Sequence, residues 1–280
     1  MGPLEQFSVL HIEGADAGEF LHAQLSNNIV SMSEGESRLA AYCEPKGRVL
    51  AVVLVYRDCG AYYLVLNATL AGIIAKRLQI YVLRSAVDIS SCDATHMLYG
   101  LEVESGSVSG TWPYPADHSR ALMLVSKDSP RADISPSLSS QQWNLADIQA
   151  GLVWLDDSTS GRFLPHALNL VATGYVDFNK GCYPGQEIIA RIQYLGSVKR
   201  TLIRIEIPES DIQTLGQNLY YESQDGEEQL AGQIVAKASK NNTILILSVV
   251  KTDVYGIKLS YYINDVRKQT TPISGENTLS

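Results

Sequence analysis

Beyond residue 200 the chain carries strand-forming runs with no helix between them, and this constrains the fold more than any other feature. TLIRIEI at 201–207, LAGQIVAKA at 230–238, TILILSVV at 243–250 and KLSYYIN at 258–264 are rich in aliphatic and aromatic residues and joined by polar turns. Strands joined only by turns become antiparallel neighbours, because a parallel pair needs a long crossover. Residues 201–268 are therefore expected to form a small C-terminal β-barrel, followed by a polar, frayed tail at 269–280.

Upstream, strand and helix patterns alternate. Residues 8–12 read as a strand, and Asp16 with Glu19 offers a capping box for a helix over 16–30 carrying Phe20, Leu21, Leu25 and Ile29. VLAVVLVYR at 49–57 and AYYLVLNA at 61–68 flank Asp58-Cys59-Gly60 and read as a hairpin. Leu70, Ile73, Ile74 and Leu78 recur at helical spacing over 69–83. Strands are expected at 97–103 and 121–125, a Ser-, Pro- and Asp-rich connector at 126–140, and a helix at 140–150 that stops at Gly151. A chain of 280 residues exceeds what one core usually serves. The pattern predicts an α+β fold with antiparallel sheets, residues 1–200 forming one region ahead of the barrel.

Charge and cysteine usage exclude some functions. The net charge of -8 and pI near 5.1 argue against a protein that grips nucleic acid by its phosphates. Arg191, Lys199, Arg200 and Arg204 make the densest basic stretch, which could serve an anionic ligand or be a solvated strand edge. Cys43, Cys59, Cys92 and Cys182 are scattered, without a CxxC pair, so neither structural zinc nor a disulfide framework is expected. No apolar stretch reaches membrane-spanning length, no secretory signal is visible, and Gln6 stands where a myristoylation signal carries Ser or Thr. Cytoplasmic residence, without membrane contact, is the expectation.

The segment KGCYPGQEIIAR at 180–191 concentrates the chemistry. Gly181 and Gly185 permit tight turns and Pro184 stiffens the loop that holds Cys182. A helix starting near Gly185, with Lys180 alongside, would favour the thiolate and make Cys182 a nucleophile, redox group or metal ligand. The residues alone favour a small buried hydrophobe in a glycine turn, the commoner fate of a lone cysteine. Glu187 could hold a ligand or cap the backbone, and Arg191 could pair with it at i,i+4.

SGRFLPHALNL at 160–170 and GYVDFNKGCYPGQEIIARIQYLGSVKR at 174–200, with IEGADAGEFLHAQLSNNI at 12–29 and AAYCEPKGRVLA at 40–51, resemble the YgfZ-type folate-binding family, relatives of the glycine-cleavage aminomethyltransferase. The resemblance implies two interlaced antiparallel α+β lobes around a central folate channel, then the barrel. It implies a tetrahydrofolate site lined by Phe7 and Trp143, aromatics that would otherwise be read as core. It marks Cys182 as the candidate reactive residue, with Lys180 tuning it and Glu187 and Arg191 holding the loop. His166 stands where the family usually has Gln, Phe7 where it often has Trp, and 171–174 reads VATG instead of a segment with a glycine pair.

Three functions follow from the resemblance. One is a folate-dependent accessory factor, not a conventional enzyme, that sustains iron–sulfur enzymes through transient contacts with them or their assembly proteins and so supports tRNA modification. Another is an aminomethyltransferase-like one-carbon transferase, although that enzyme's glycine-tyrosine-threonine-glycine-glutamate motif is replaced here by CYPGQE at 182–187. A third is a binding module that senses folate without chemistry.

Overall fold

The apolar runs nearest the N-terminus assemble one antiparallel sheet. The computed structural model describes residues 2–103, 110–128, 137–211, 214–254, 257–263 and 266–272. β1 (Phe7–Glu13), β2 (Ser37–Cys43), β3 (Val49–Asp58), β4 (Ala61–Asn67) and β5 (Asp88–Ser91) lie in the order β2-β3-β4-β1-β5. The β3–β4 hairpin turns through Cys59 (φ 51°) and Gly60 (φ 78°), successive left-handed residues that match the strand twist. Helices α1 (Ala17–Gln24) and α2 (Ala68–Val82) pack on this sheet. α2 turns Leu70, Ile74, Leu78 and Val82 inward, and Asn67 caps it by accepting from the Thr69 N–H at 3.0 Å.

α1 is shorter than its pattern predicts, because tertiary hydrogen bonds compete with the helix. Leu25 turns extended and bridges Tyr42, while the Ser26 hydroxyl donates to the Tyr175 carbonyl at 2.8 Å and accepts from the Ala41 N–H at 2.8 Å. Leu25 and Ile29 are buried from non-helical chain. Asp16 makes no capping bond; its carboxylate accepts from the Ala86 N–H at 2.7 Å instead.

A second antiparallel sheet contains β6 (His96–Glu102), β7 (Trp112–Pro113), β8 (Arg120–Ser126) and β9 (Ser137–Leu138), in the order β7-β8-β6-β9. Residues 129–136 of the expected connector lie outside the described residues. α3 (Ser140–Gln149) starts with a complete Ser139–Gln142 capping box and ends before Gly151, whose φ is 74°. Trp143 on α3 packs so closely on Gly100 of β6 that a Cβ there would stand 2.3 Å from the indole ring. The chain then runs irregularly, apart from a 3-10 turn at Pro165–Leu168, to α4 (Gln186–Leu195).

β10 (Arg200–Pro208), β11 (Asn218–Glu222), β12 (Glu228–Lys240), β13 (Thr243–Lys251), β14 (Lys258–Ile263) and β15 (Val266–Pro272) form a six-stranded sheet in the order β10-β13-β12-β11-β14-β15. It is a half-barrel: the edge strands β10 and β15 approach, but no hydrogen-bonded ladder joins them among the described residues. β10 lies instead against the 3-10 turn, and the outer face of the sheet joins the main core. β13 shows why its sequence is apolar throughout. Leu245, Leu247 and Val249 enter the main core, while Ile244, Ile246 and Val250 fill the half-barrel interior. β11 and β15 are too polar to stand out in the sequence, and β15 pairs residues 269–272 that read as tail. Among the described residues no helix is long and apolar enough to cross a membrane.

Candidate functional site

Two separated stretches meet at the loop of Cys182. The turn between β2 and β3, Glu44 to Arg48, touches the start of α4 through paired glycines. Gly185, the N-cap of α4, has φ 84°, and a Cβ there would lie 2.6 Å from both the Glu44 carbonyl oxygen and the Gly47 Cα. Only glycine meets both the left-handed backbone and this approach. Ile189 on the inner face of α4 is fully buried and anchors the helix on the same turn.

Lys180 is turned inward. Its ammonium donates to the carbonyls of His22 and Leu25, the latter at 2.6 Å, and so satisfies the C-terminal end of α1. Nζ also lies 4.9 Å from the centre of the Tyr183 ring. Burial lowers the Lys180 pKa to about 8, against the opposing charges of Asp177 and Cys182. Burial, with Lys180 next, likewise lowers the pKa of His22.

Cys182 is exposed and free. It lines an open groove of about 530 Å3 with Pro45, Tyr183 and the first turn of α4. Cys43 and Cys92 are buried, and burial pushes the Cys92 thiol to about 11 and Cys43 higher still. Glu187 and Arg191 sit on the outer face of α4 at 4.0 Å, with side chains 91% and 74% exposed. That geometry is a solvated i,i+4 pair. Among the described residues no group of three or more His, Cys, Asp or Glu is placed to hold a metal ion.

Phe7 and Trp143 part company. Phe7 borders a cleft of about 370 Å3 between β1, α3 and the half-barrel, where its ring meets Trp154 edge to face at 4.7 Å. Gln6, Asn67, Gln141, Asn144 and Lys237 supply polar groups to the same cleft. Both amide atoms of Gln6 are buried without a hydrogen-bond partner among the described residues. Trp143 does not border this cleft; it is 0% exposed and packs edge to face on Tyr114 at 4.7 Å.

Behind the cleft lies a buried polar cluster that the sequence reading missed. Asp147 accepts from the Tyr114 hydroxyl at 2.7 Å and the Trp154 indole N–H at 2.9 Å, and pairs with Arg120 at 2.9 Å. The Arg120 guanidinium sits 4.6 Å from the ring centres of both Tyr114 and Trp143. Burial raises the Asp147 pKa to about 6 despite Arg120, and raises that of Tyr114 well above its ordinary value. A buried guanidinium is costly unless paired, and Arg120 also reaches the Asp117 carboxylate at 2.9 Å. No motif announced that Arg120 and Asp147, 27 positions apart, would be partners.

No protein-family model matches the chain. It is 26% identical over 280 aligned residues to the tRNA-modifying protein YgfZ of Shigella sonnei, covering 89% of this chain and 85% of that protein. The protein of the same name in Escherichia coli O45:K1 matches with the same identity and coverage. An uncharacterized protein of Haemophilus influenzae is 26% identical over 253 residues, covering 90% of this chain and 89% of the relative. The crystal structure of glycine cleavage system aminomethyltransferase T from Bartonella henselae superposes with a TM-score of 0.72 at 14% identity, over 98% of this chain and 84% of that one. Along most of its length the chain is thus similar to the YgfZ proteins, with an aminomethyltransferase-like fold, and the resemblance read from its sequence is borne out.

Proposed function

We propose that this protein is a tetrahydrofolate-binding accessory factor of the cytoplasm that sustains iron–sulfur enzymes and, through them, tRNA modification. The observation that carries the folate site is the cleft of Phe7 and Trp154, with the unpaired Gln6 carboxamide buried at its edge. A pterin presents a flat ring and an amide-like edge. Phe7 and Trp154 offer aromatic surface to the ring, and Gln6 has both a donor and an acceptor for the edge. Lys237 lines the same cleft and carries the charge that suits the acidic tail of a folate.

Trp143 serves this site from behind. It holds Arg120 against Asp147, and Asp147 orients the Trp154 indole. In this reading the two N-terminal sheets are the interlaced lobes around a central channel, and the half-barrel closes one side of it. Bound tetrahydrofolate supplies a carrier of one-carbon units. Cys182, exposed in its groove, is the thiol offered to a partner. The name of the YgfZ relatives supports the link to tRNA modification. The aminomethyltransferase likeness supports the fold and not that enzyme's activity.

Titration with tetrahydrofolate followed by tryptophan fluorescence tests the site. Quenching is expected, reduced in Trp154→Phe, with affinity about tenfold weaker in Gln6→Ala. Absence of quenching in the wild-type protein refutes the folate site. Cys182→Ser should keep folate affinity yet fail to restore iron–sulfur enzyme activity in a strain lacking the protein; if it restores that activity, the thiol has no such role.

A further inference from the structure

Five cations gather in one cleft of a protein whose net charge is -8. Lys46 and Arg48 come from the β2–β3 turn, Arg162 from the irregular segment, and Lys199 and Arg200 from the entry to β10. No carboxylate lines the cleft, and none of the five forms an ion pair among the described residues. Arg48 is oriented by donating to the Arg162 carbonyl at 2.8 Å. The other members of the basic stretch turn elsewhere: Arg191 meets Glu187, and Arg204 donates to the Gln149 carbonyl at 2.8 Å.

Beside the cations, Phe163, His166 and Ser197, the lining of this cleft, about 560 Å3 in volume, is aliphatic. Leu164, Ala167, Ile188, Ile192 and Val198 line it. α4 therefore has two apolar faces. Ile189 enters the core, whereas Ile188, Ile192 and Leu195, spaced i, i+4, i+7, form an outward stripe on which Leu195 is 86% exposed. An outward apolar stripe beside unpaired cations is a mark of an interaction surface.

The geometry points to a docking groove for an acidic, amphipathic segment of a partner protein, its aliphatic side chains lying along Ile188, Ile192, Leu195 and Val198 and its carboxylates meeting the five cations. Charge complementarity selects an anionic occupant. A single-stranded nucleic acid is disfavoured because its bases stack on exposed aromatic faces and Phe163 in this cleft is buried, and a duplex, which meets proteins through phosphates and sugars, leaves the aliphatic stripe without a counterpart. A bilayer is disfavoured because the stripe borders a concave cleft, whereas membrane-surface helices lay their apolar face on lipid. A helix in a groove, read through anchors at i, i+4 and i+7, fits both features.

Ile188 borders this cleft and also the groove of Cys182, so a docked segment brings its owner to the thiol. The inference gives the partner's chemistry for the accessory role proposed above, and rests on that role only in calling the partner a client. Peptide binding is measured without folate, so its failure and failure of the folate site are separate results.

The probe is a fluorescein-labelled helical peptide of Leu/Glu heptads, followed by anisotropy at low and high salt. It should bind, weaken with salt, and slow alkylation of Cys182 by iodoacetamide. Its Kd should rise about tenfold in Lys199→Glu/Arg200→Glu and in the exposed Leu195→Ser, with folding checked by circular dichroism. The proposal is overturned if the peptide does not bind, if a scrambled peptide of the same composition binds equally, or if oligouridylate or phosphatidylserine vesicles bind more tightly.

Discussion

Trp154 donates its indole N–H to Asp147 at 2.9 Å, so one wall of the Phe7 cleft hangs on a carboxylate with almost no solvent access. The same carboxylate neutralises Arg120, which in turn lies against Trp143. Cleft and core are thereby mechanically one unit.

Removing that carboxylate should be costly. Asp147→Ala leaves the Arg120 charge buried, beyond what Asp117 compensates, and should destabilise the fold by about 3–5 kcal/mol. Chemical denaturation measures this. Asp147→Asn keeps the shape and should lose less.

The raised Asp147 pKa carries a pH signature. Its folded value of about 6 lies above the unfolded value, so the folded state takes up the proton first. This contribution to stability is full below roughly pH 4, declines as pH rises, and is lost through pH 6. The difference in Tm between wild type and Asp147→Asn, recorded from pH 4 to 7, should follow that curve. Trp154 fluorescence should titrate over the same window.

Lys180 shows the opposite case. Its folded pKa of about 8 lies below the unfolded value, so its contribution to stability is greatest at alkaline pH and is lost as pH falls through 8. Lys180→Met should remove that dependence. It should also destabilise the protein by about 1–3 kcal/mol, because the buried carbonyl of Leu25 loses its donor.

Gly185→Ala forces a side chain into left-handed backbone and against the Glu44 carbonyl and Gly47. The cost should be about 2–5 kcal/mol. Gly35→Ala provides the control, since Gly35 also has positive φ but nothing within 4 Å of its Cβ position, and should cost only about 1–2 kcal/mol. Comparing the two by urea denaturation separates backbone strain from steric contact.

Glu187→Gln and Arg191→Gln should each leave Tm unchanged to within about 1 °C, since their ion pair stands in solvent. A larger loss in either variant would mean that the pair does hold the loop.

Much of this architecture is written locally. The stop of α3 before Gly151, the turn at Cys59-Gly60 and the spacing of Leu70, Ile74 and Leu78 announce their elements because each depends on neighbours within a few positions. α1 was misread for the complementary reason: Leu25 and Ser26 leave the helix to meet Tyr42, Ala41 and Tyr175, partners that no local pattern contains. β11 and β15 were missed because their strand character comes from the ladders they join.

The site divides along the same line. By itself the sequence determined the constrained glycine loop around Cys182, the strand-only C-terminal region and the resemblance to YgfZ proteins, all carried by contiguous residues. Only the tertiary structure decided that Cys182 is exposed, that Lys180 serves α1, and that Trp143 is buried while Trp154 faces the Phe7 cleft. It alone brought together Asp147 with Arg120 and the five cations with the aliphatic stripe of α4. Burial and ion pairing depend on which distant surfaces meet, and that is set by the packing of sheets and helices, not by the spacing of residues along the chain.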